Sequence, residues 1–582
     1  VSDRPEIRSL LSSLKKRPKN PQSSSILSAE QLHHAVGRND ADAVLRLVQE
    51  ERVDPNIMRT GSTSTPLHMA LAISSFDTAI FLVLAGANLE AKNKNDETAI
   101  ISAVRHRFPD DFIALLCELG AEVDAVDLLG RSALHYAAEM APEDNTILAL
   151  CGHGASLDLR DKAGRNPLLH AVVRARQRST AQLIDCGAQL AVATAGGKSA
   201  LQLAIAKRDT GMVKMLCERG AAVNGDMKHS TPLMVAITST CTDIARLLIE
   251  FGATPGLHST RGNFPLLMAS ALGDKEIVGL LLARGADVND SSQTGNTPLH
   301  MAAQKDHAEI AQLLVQAGAP LEHTNDDGST PLGLAVHCGH TGIVKLLLGI
   351  GANPDSRFNS QPVLWCALQQ VCSSGAASAA QENKTSPVHV QIAQLLIEAG
   401  ASAIEPEGRL ESTPLHQAAR LGLGSTVELM LSHASNTIIE TRTRSGHTPL
   451  FFAVEGGHLT TIRLLIEKHG ADIYAQTAAG EHLLWPAAAR PPILRYLLDI
   501  RDDEFFDVNH QNQSGATVLH FAAVLGQVES IKLLLRRGAK QFVAAAVYDD
   551  LLCLNAGKSC RQGTPAGLAK ERGHKKVMEL LQ

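Results

Sequence analysis

The sequence predicts an all-α solenoid of stacked helix-turn-helix repeats joined by β-hairpin fingers, and three observations lead to this fold class. A seven-residue phrase, spelled most fully as TPLHMAA at residues 297–303, recurs at a spacing close to 33 residues. Apolar residues between its copies recur at helical spacing, and a glycine closes nearly every repeat. We expect about sixteen repeats, each stacked on its neighbours because one helix pair cannot bury its apolar face alone.

The ninth repeat shows why each element should form. Thr297 is placed to cap the first helix, and Pro298 follows at a position where its missing N–H leaves no hydrogen bond unmade. The pair Ala302-Ala303 gives that helix a narrow face for close packing. The apolar run at 310–315 predicts a second helix, and Gly318 should end it in the left-handed conformation that glycine favours. The polar residues beyond it predict the turn of the next finger.

These features resemble the ankyrin repeat family over roughly residues 28–582. The TPLHxAA phrase, Gly339-His340 before a second helix and the closing phrase RGADVN at 284–289 match the motif of that family. The resemblance implies a protein-binding module without catalysis or cofactors. It also implies that partners contact the finger tips and the two residues after the small pair of each first helix.

Three segments stand apart from the regular repeats of the 28–582 domain. Residues 1–27 are interpreted as an N-terminal cap helix or a basic linker, and a linker would imply a further domain upstream of Val1. The small, polar stretch at 373–387 predicts an insertion loop inside the eleventh repeat. A second insertion, at 540–563, is expected in the finger before the last repeat.

Two repeats depart from the pattern in ways that predict local strain. Ala434 stands where the twelfth repeat should have its closing glycine, so we expect an alanine in the left-handed conformation there, at about 1 kcal/mol. Pro486 falls inside the first helix expected for the fourteenth repeat. Regular stacking is therefore least expected in this region, from about residue 405 to 512.

Composition limits the class of protein. The formal net charge of −6 excludes a globally basic protein that coats nucleic acid, and no apolar run approaches the ~18 residues that a transmembrane helix needs. Cys117, Cys151 and Cys217 each precede a closing glycine by three residues, which indicates small core residues rather than disulfides or metal ligands. Unpaired thiols predict an intracellular location in the cytoplasm, with the nucleus as the alternative.

The chain carries no recognisable catalytic or cofactor-binding motif. Gly196-Gly197-Lys198-Ser199 resembles the end of a phosphate-binding loop, but Val192 stands where the first glycine is required. The fourth residue of the phrase, the anchor position, is often histidine, and a spacing of one per repeat favours bonding to the local threonine over metal binding. These anchor histidines are His33, His68, His135, His300, His416 and His520. Trp365 and Trp485 occupy the same position and are interpreted as core residues, with ligand recognition as the alternative.

The leading functional hypothesis is a non-enzymatic scaffold that binds another protein. The alternative is a sensor or regulatory arm of a larger signalling protein, such as a nucleotide-binding switch protein or an ankyrin-bearing channel. A third hypothesis is an enzyme with an unrecognised pocket between Trp365 and Trp485.

A cluster of basic residues predicts where the partner binds. Residues 160–228 contain twelve basic and five acidic side chains, a net charge of +7 in a chain of −6. Some of these residues follow the finger glycine and others follow the small pair of the first helix, so they should form two rows on repeats three to seven. We expect an acidic peptide or acidic protein surface to bind there, and the alternative is a solvated basic stripe. The candidate residues are Arg105, Arg131, Arg160, Lys162, Arg165, Arg174, Lys198, Lys207 and Lys228.

Overall fold

The structure is a computed structural model, and it describes residues 26–59, 63–140, 145–225, 230–373, 387–409, 411–434, 436–500, 507–543, 545–547 and 561–582. Helices account for 53% of the chain and strands for 2%, which confirms the all-α class. The chain divides into two compact parts. The N-terminal part is Val1–Ala269 with Glu276–Asp287, and the C-terminal part is Ser270–Lys275 with Val288–Gln582.

The N-terminal part consists of consecutive helix pairs, and after the first pair the second helix of each is as long as the first helix or longer. Its helices are α1 (Ile26–Gly37), α2 (Ala41–Gln49), α3 (Pro66–Ala72), α4 (Phe76–Leu84), α5 (Ala99–Arg105), α6 (Asp110–Glu118), α7 (Ala133–Glu139), α8 (Thr146–Gly152), α9 (Pro167–Val173), α10 (Gln177–Asp185), α11 (Ala200–Ala206), α12 (Thr210–Glu218), α13 (Pro232–Thr238) and α14 (Thr242–Glu250). The next pair has residues in both parts and comprises α15 (Pro265–Leu272) and α16 (Lys275–Ala283).

The C-terminal part continues the same order of helix pairs. Its α-helices are α17 (Pro298–Gln304), α18 (Ala308–Gln316), α19 (Pro331–Cys338), α20 (Thr341–Ile350), α21 (Val363–Ser373), α22 (Pro387–Glu398), α23 (Pro414–Arg420), α24 (Gly424–His433), α25 (Pro449–Gly456), α26 (Leu459–Arg463), α27 (Leu484–Ala487), α28 (Pro491–Asp499), α29 (Val518–Leu525), α30 (Val528–Arg536), α31 (Pro565–Glu571) and α32 (Lys575–Leu581). A 3-10 helix (Asn436–Glu440) follows α24, and a π-helix (Leu464–Lys468) continues α26. Two antiparallel hairpins pair β1 (Arg357–Phe358) with β2 (Gln361–Pro362), and β3 (Ala545–Val547) with β4 (Arg561–Gly563).

The helices form for the local reasons that the sequence predicts. In the ninth repeat the Thr297 hydroxyl caps α17, with Pro298 at its first turn. Leu299 and the pair Ala302-Ala303 are fully buried, and α17 packs against the next first helix, α19. Gly318 ends α18 at φ +94°, in the left-handed region.

The prediction for Ala434 is wrong. Ala434 follows α24 in an extended conformation, φ −101° and ψ 156°, and it is not left-handed. The 3-10 helix begins at Asn436, and Ala434 itself does not need a glycine conformation. The expected strain, and the expected stabilisation by glycine, are therefore absent.

The fourteenth repeat is irregular as predicted, because its first helix α27 has only four residues and contains Pro486. Helix α27 nevertheless packs between α25 and α29, so the stacking order is kept. The bulk of both predicted insertions, at 373–387 and 540–563, and of the N-terminal segment 1–27 lies outside the described residues. Within the described ranges, no helix combines the length and the hydrophobicity needed to cross a bilayer.

Candidate functional site

The anchor histidines hold each finger in place by joining two repeats. In the ninth repeat, Nδ1 of His300 accepts from the backbone N–H of Thr297 and contacts its hydroxyl at 2.8 Å. The other ring nitrogen, Nε2, lies 3.0 Å from the backbone carbonyl oxygen of Ser329 in the next repeat and donates to it. The bond to the local threonine is therefore confirmed, whereas the bond to the next repeat was not predicted. Equivalent inter-repeat bonds are made by His33, His68, His135, His416 and His520.

Burial lowers the pKa of five of these imidazoles, His68, His135, His300, His416 and His520. It lowers the pKa of His300 to about 4, and the same cause lowers the pKa of His135 and of His416 to about 4. The sixth repeat makes the same bonds without a titratable group. There Oε1 of Gln202 accepts from the Ser199 N–H at 3.0 Å, and its amide nitrogen donates to the Ser230 carbonyl. The position therefore needs one acceptor and one donor rather than a charge.

Four of the predicted contact arginines have carboxylate partners within the protein. Arg105 pairs with Glu97, and Arg165 lies 3.2 Å from Asp161. Arg131 lies 3.4 Å from Glu139, and this carboxylate also pairs with Arg174. Glu97 and Glu139 precede the segment 160–228 in the sequence, so counting charges inside that segment missed them. Each lies eight residues from the arginine of its own repeat, Arg105 or Arg131, and stacking of the repeats brings Glu139 to Arg174 as well.

Asp161 is a buried carboxylate that accepts hydrogen bonds from two neighbouring residues, Arg165 and His170. Its Oδ2 lies 2.9 Å from Nε2 of His170, and its Oδ1 accepts the backbone N–H of Arg165. Burial alone would raise the pKa of Asp161, but the hydrogen bonds from Arg165 and His170 outweigh burial and lower it below its usual value. The Arg165 guanidinium is thus held in a fixed place.

The remaining predicted cations are exposed. Arg160 donates to the carbonyl oxygens of Gly164 and Ala193, at 3.0 and 2.8 Å. The other three side chains form no ion pair with any residue that the structure describes, and they are Lys162, Lys198 and Lys207. We call these three lysines the open basic surface. Lys228 lies outside the described residues.

An exposed apolar finger tip lies beside this surface. Leu128 and Leu129 are 49% and 47% exposed, at finger positions where neighbouring repeats carry polar or small residues such as Asn95 and Ala163. The backbone N–H of Lys162 donates to the Leu129 carbonyl at 2.9 Å, which fixes Lys162 next to the tip. This exposed pair was not predicted from the sequence, because two consecutive leucines in a repeat protein usually indicate core residues.

The tryptophans and cysteines are mostly core residues. Trp485 is 2% exposed, as its interpretation predicted, whereas Trp365 is only half-buried. Cys217 is buried, and burial raises the pKa of its thiol to about 11. Cys117 and Cys151 pack against the hydrophobic core of the N-terminal part. No group of three or more metal-ligating side chains occurs among the described residues.

Comparison with protein families agrees with the repeat architecture. A family model described as ankyrin repeats (3 copies) matches residues 32–127, 177–259, 265–358 and 378–477. A second one, described as ankyrin repeat, matches residues 514–544. Together these matches cover more than half of the chain.

Curated relatives match over shorter stretches. B-cell lymphoma 3 protein homolog of Mus musculus is 32% identical over 247 residues, which are 41% of this chain and 47% of that protein. Ankyrin repeat and SOCS box protein 16 of Mus musculus is 33% identical over 212 residues, 35% of this chain and 46% of that protein. Neurogenic locus notch homolog protein 1 of Homo sapiens is 32% identical over 170 residues, 29% of this chain and 6% of that protein. The chain thus spans less than half the length of each of these relatives.

Proposed function

The chain belongs to the ankyrin repeat family, and from this premise we propose that it is a non-enzymatic scaffold whose N-terminal part binds an acidic segment of a partner protein. Repeats of this family serve protein–protein interaction. The acidic partner, the binding position and an intracellular location are our own proposal. Half-buried free thiols such as Cys151 support that location.

The observation that carries the proposal is the open basic surface beside an apolar tip. Exposed lysines without ion pairs attract an acidic segment over about one Debye length, roughly 8 Å in physiological salt. Such charges give orientation and a fast association rate more than affinity. Leu128 and Leu129 supply the apolar area that the lysines lack. An acidic segment with one apolar side chain satisfies both features.

The paired arginines have a different role in this proposal. Arg105, Arg131, Arg165 and Arg174 are held by carboxylates of the scaffold, so they contribute little net charge. Their guanidinium N–H groups are already oriented, and less side-chain entropy is lost when they donate a further hydrogen bond. The arginines therefore donate hydrogen bonds from fixed positions, and the lysines provide the longer-range electrostatic attraction.

Charge reversal tests this proposal. A triple variant with Lys162→Glu, Lys198→Glu and Lys207→Glu should bind the partner recovered by pull-down from the native cell extract about tenfold more weakly. The dependence of its affinity on salt should also flatten. Lys305→Glu is the matched control, because Lys305 is exposed at the position of the ninth repeat that corresponds to Lys207 in the sixth. Equal affinity of the triple variant and the control for that partner would refute the proposal.

A further inference from the structure

Two adjacent repeats of the C-terminal part carry an aromatic residue at the anchor position. Phe451 and Trp485 stand at the anchor position of the thirteenth and fourteenth repeats, between His416 and His520, which both make the usual inter-repeat bond. Trp485 is 2% exposed, and its indole N–H has no hydrogen-bond partner among the described residues. A buried donor without an acceptor is unfavourable for the folded protein, so this substitution is not explained by stability.

The aromatic side chains surround a cavity. Its volume is about 550 Å³, and its walls include Phe451, Phe452, Trp485, Pro486 and Phe521. The rings of Trp485 and Phe521 lie 6.2 Å apart between centroids. The whole chain has only 13 Phe, 2 Trp and 4 Tyr, so four aromatic residues around one cavity are a local concentration.

The short helix α27 explains why the space is open. Its neighbours among the first helices, α25 and α29, have eight residues each, whereas α27 has four. Protein cores normally pack without voids larger than a water molecule. A cavity of this size, mostly apolar and with a few polar groups, has the dimensions of a ligand site.

Four charged residues line the cavity, including Glu481 and Arg490, and the other two carry opposite charges at equivalent positions of neighbouring repeats. Arg420 ends α23 four residues after its anchor, and Glu455 lies four residues after the next anchor, on α25. Both side chains are exposed, and neither forms an ion pair within the described residues. Packed helices lie about 8–10 Å apart, and an extended chain in the polyproline-II conformation has three residues per turn and rises about 3.1 Å per residue. Side chains three residues apart on such a peptide therefore share one face and match this spacing.

We propose that this cavity binds one extended segment of a partner protein, at a site independent of the open basic surface. An apolar side chain of the segment enters the space between the aromatic rings, and a main-chain carbonyl accepts the indole N–H of Trp485. An acidic side chain meets Arg420, and a basic side chain three residues away meets Glu455.

A displayed library of random twelve-residue peptides, selected on the full chain, tests this site. The expected consensus has an apolar residue with an acid and a base three positions apart. Because Trp365 and Trp485 are the only tryptophans, a Trp365→Phe background makes fluorescence report on Trp485. A selected peptide should change that emission as it binds.

Substitutions distinguish the site from unspecific adsorption. Arg420→Glu should weaken the selected peptide about tenfold, and the Arg420→Glu/Glu455→Arg pair should prefer the peptide with its two charges exchanged. Trp485→Phe keeps an aromatic ring but removes the N–H, and it should also weaken binding. Gln304→Glu is the control, because Gln304 is exposed at the same position of the ninth repeat. The proposal is overturned if no consensus emerges, if the consensus peptide binds these folded variants as it binds the control, or if the cavity takes only small apolar molecules.

Discussion

The open basic surface and the aromatic cavity arise from the same repeat in different ways. Around Lys162 and Lys198 the first helices keep their side-chain caps, Asn166 and Ser199, and both lysines lie at exposed finger positions. Around Trp485 the change is inside the repeat: the anchor histidine is lost, the first helix is shortened and a space opens. The comparison teaches that exposed finger positions vary without changing the helix pair, whereas the aromatic anchor Trp485 accompanies a shortened first helix and a cavity. The following predictions test that contrast.

Acid should affect the histidine-anchored repeats most. Because the pKa of His135, His300 and His416 is about 4 when folded and about 6.5 when unfolded, the unfolded chain binds more protons between these values. Their contribution to stability is therefore complete above pH 6.5 and falls as the pH drops towards 4. At pH 5 the loss is on the order of 2 kcal/mol per histidine.

Urea unfolding at pH 7.5 and at pH 5 measures this loss. Replacing the three histidines by glutamine, as in the natural sixth repeat, should reduce the difference between the two pH values. A difference that stays the same in the triple glutamine variant would show that other groups cause the acid sensitivity.

Removing one anchor histidine should have the next largest effect on the free energy of unfolding. His300→Ala leaves the Ser329 carbonyl and the Thr297 N–H buried without partners and creates a small void, which should lower the free energy of unfolding by about 3 kcal/mol. His300→Gln should lose less than about 1 kcal/mol, because Gln202 makes the same two bonds. Chemical denaturation of both variants gives the comparison. Equal losses would mean that ring packing, rather than bonding, holds this position.

Introducing a histidine at an anchor position that lacks one tests the same contrast in the opposite direction. Phe451 follows Thr448, whose hydroxyl already caps α25, so Phe451→His regains the partner that other anchors use. We expect a change in stability within about 1 kcal/mol, because a hydrogen bond replaces aromatic packing. Peptide binding to the cavity should fall in the library assay. Retained peptide affinity would show that Phe451 is not part of the site.

The smallest effect concerns the junction after α24. Ala434→Gly should destabilise the protein by about 0.5 kcal/mol, because an extended alanine gains nothing from glycine and the unfolded chain gains freedom. The control is Gly400→Ala, at a closing glycine with φ +96°, which should destabilise by about 1 kcal/mol through strain. Thermal unfolding of both variants measures the difference. A stabilising Ala434→Gly would contradict the extended conformation.

Local and periodic features could be predicted from the sequence, whereas contacts between repeats could not. The caps at Thr297 and the short helix at Pro486 follow from neighbouring residues, and both were expected. The ion pair of Arg174 with Glu139 depends on stacking, so a count of charges along one segment missed it. The prediction for Ala434 is wrong because a residue at the position of the closing glycine need not adopt the left-handed conformation of that glycine.

The volume of the cavity also could not be predicted from the sequence. It depends on how α25, α27 and α29 pack together. Trp485 itself was singled out as an unusual anchor, and core packing and ligand recognition were both considered for it. The two uses coexist in one side chain, since the ring is buried while it lines the space.

The inter-repeat bond of the anchor histidine also has a mechanical consequence. Each such bond joins a repeat to the next one along the chain, so it resists separation when the stack is pulled lengthwise. Phe451 cannot make this bond, and the Trp485 indole does not make it. Under tension applied with optical tweezers, repeats without this bond should therefore separate at lower force than the histidine-anchored repeats, and the repeats that receive the ligand would be among the first to open.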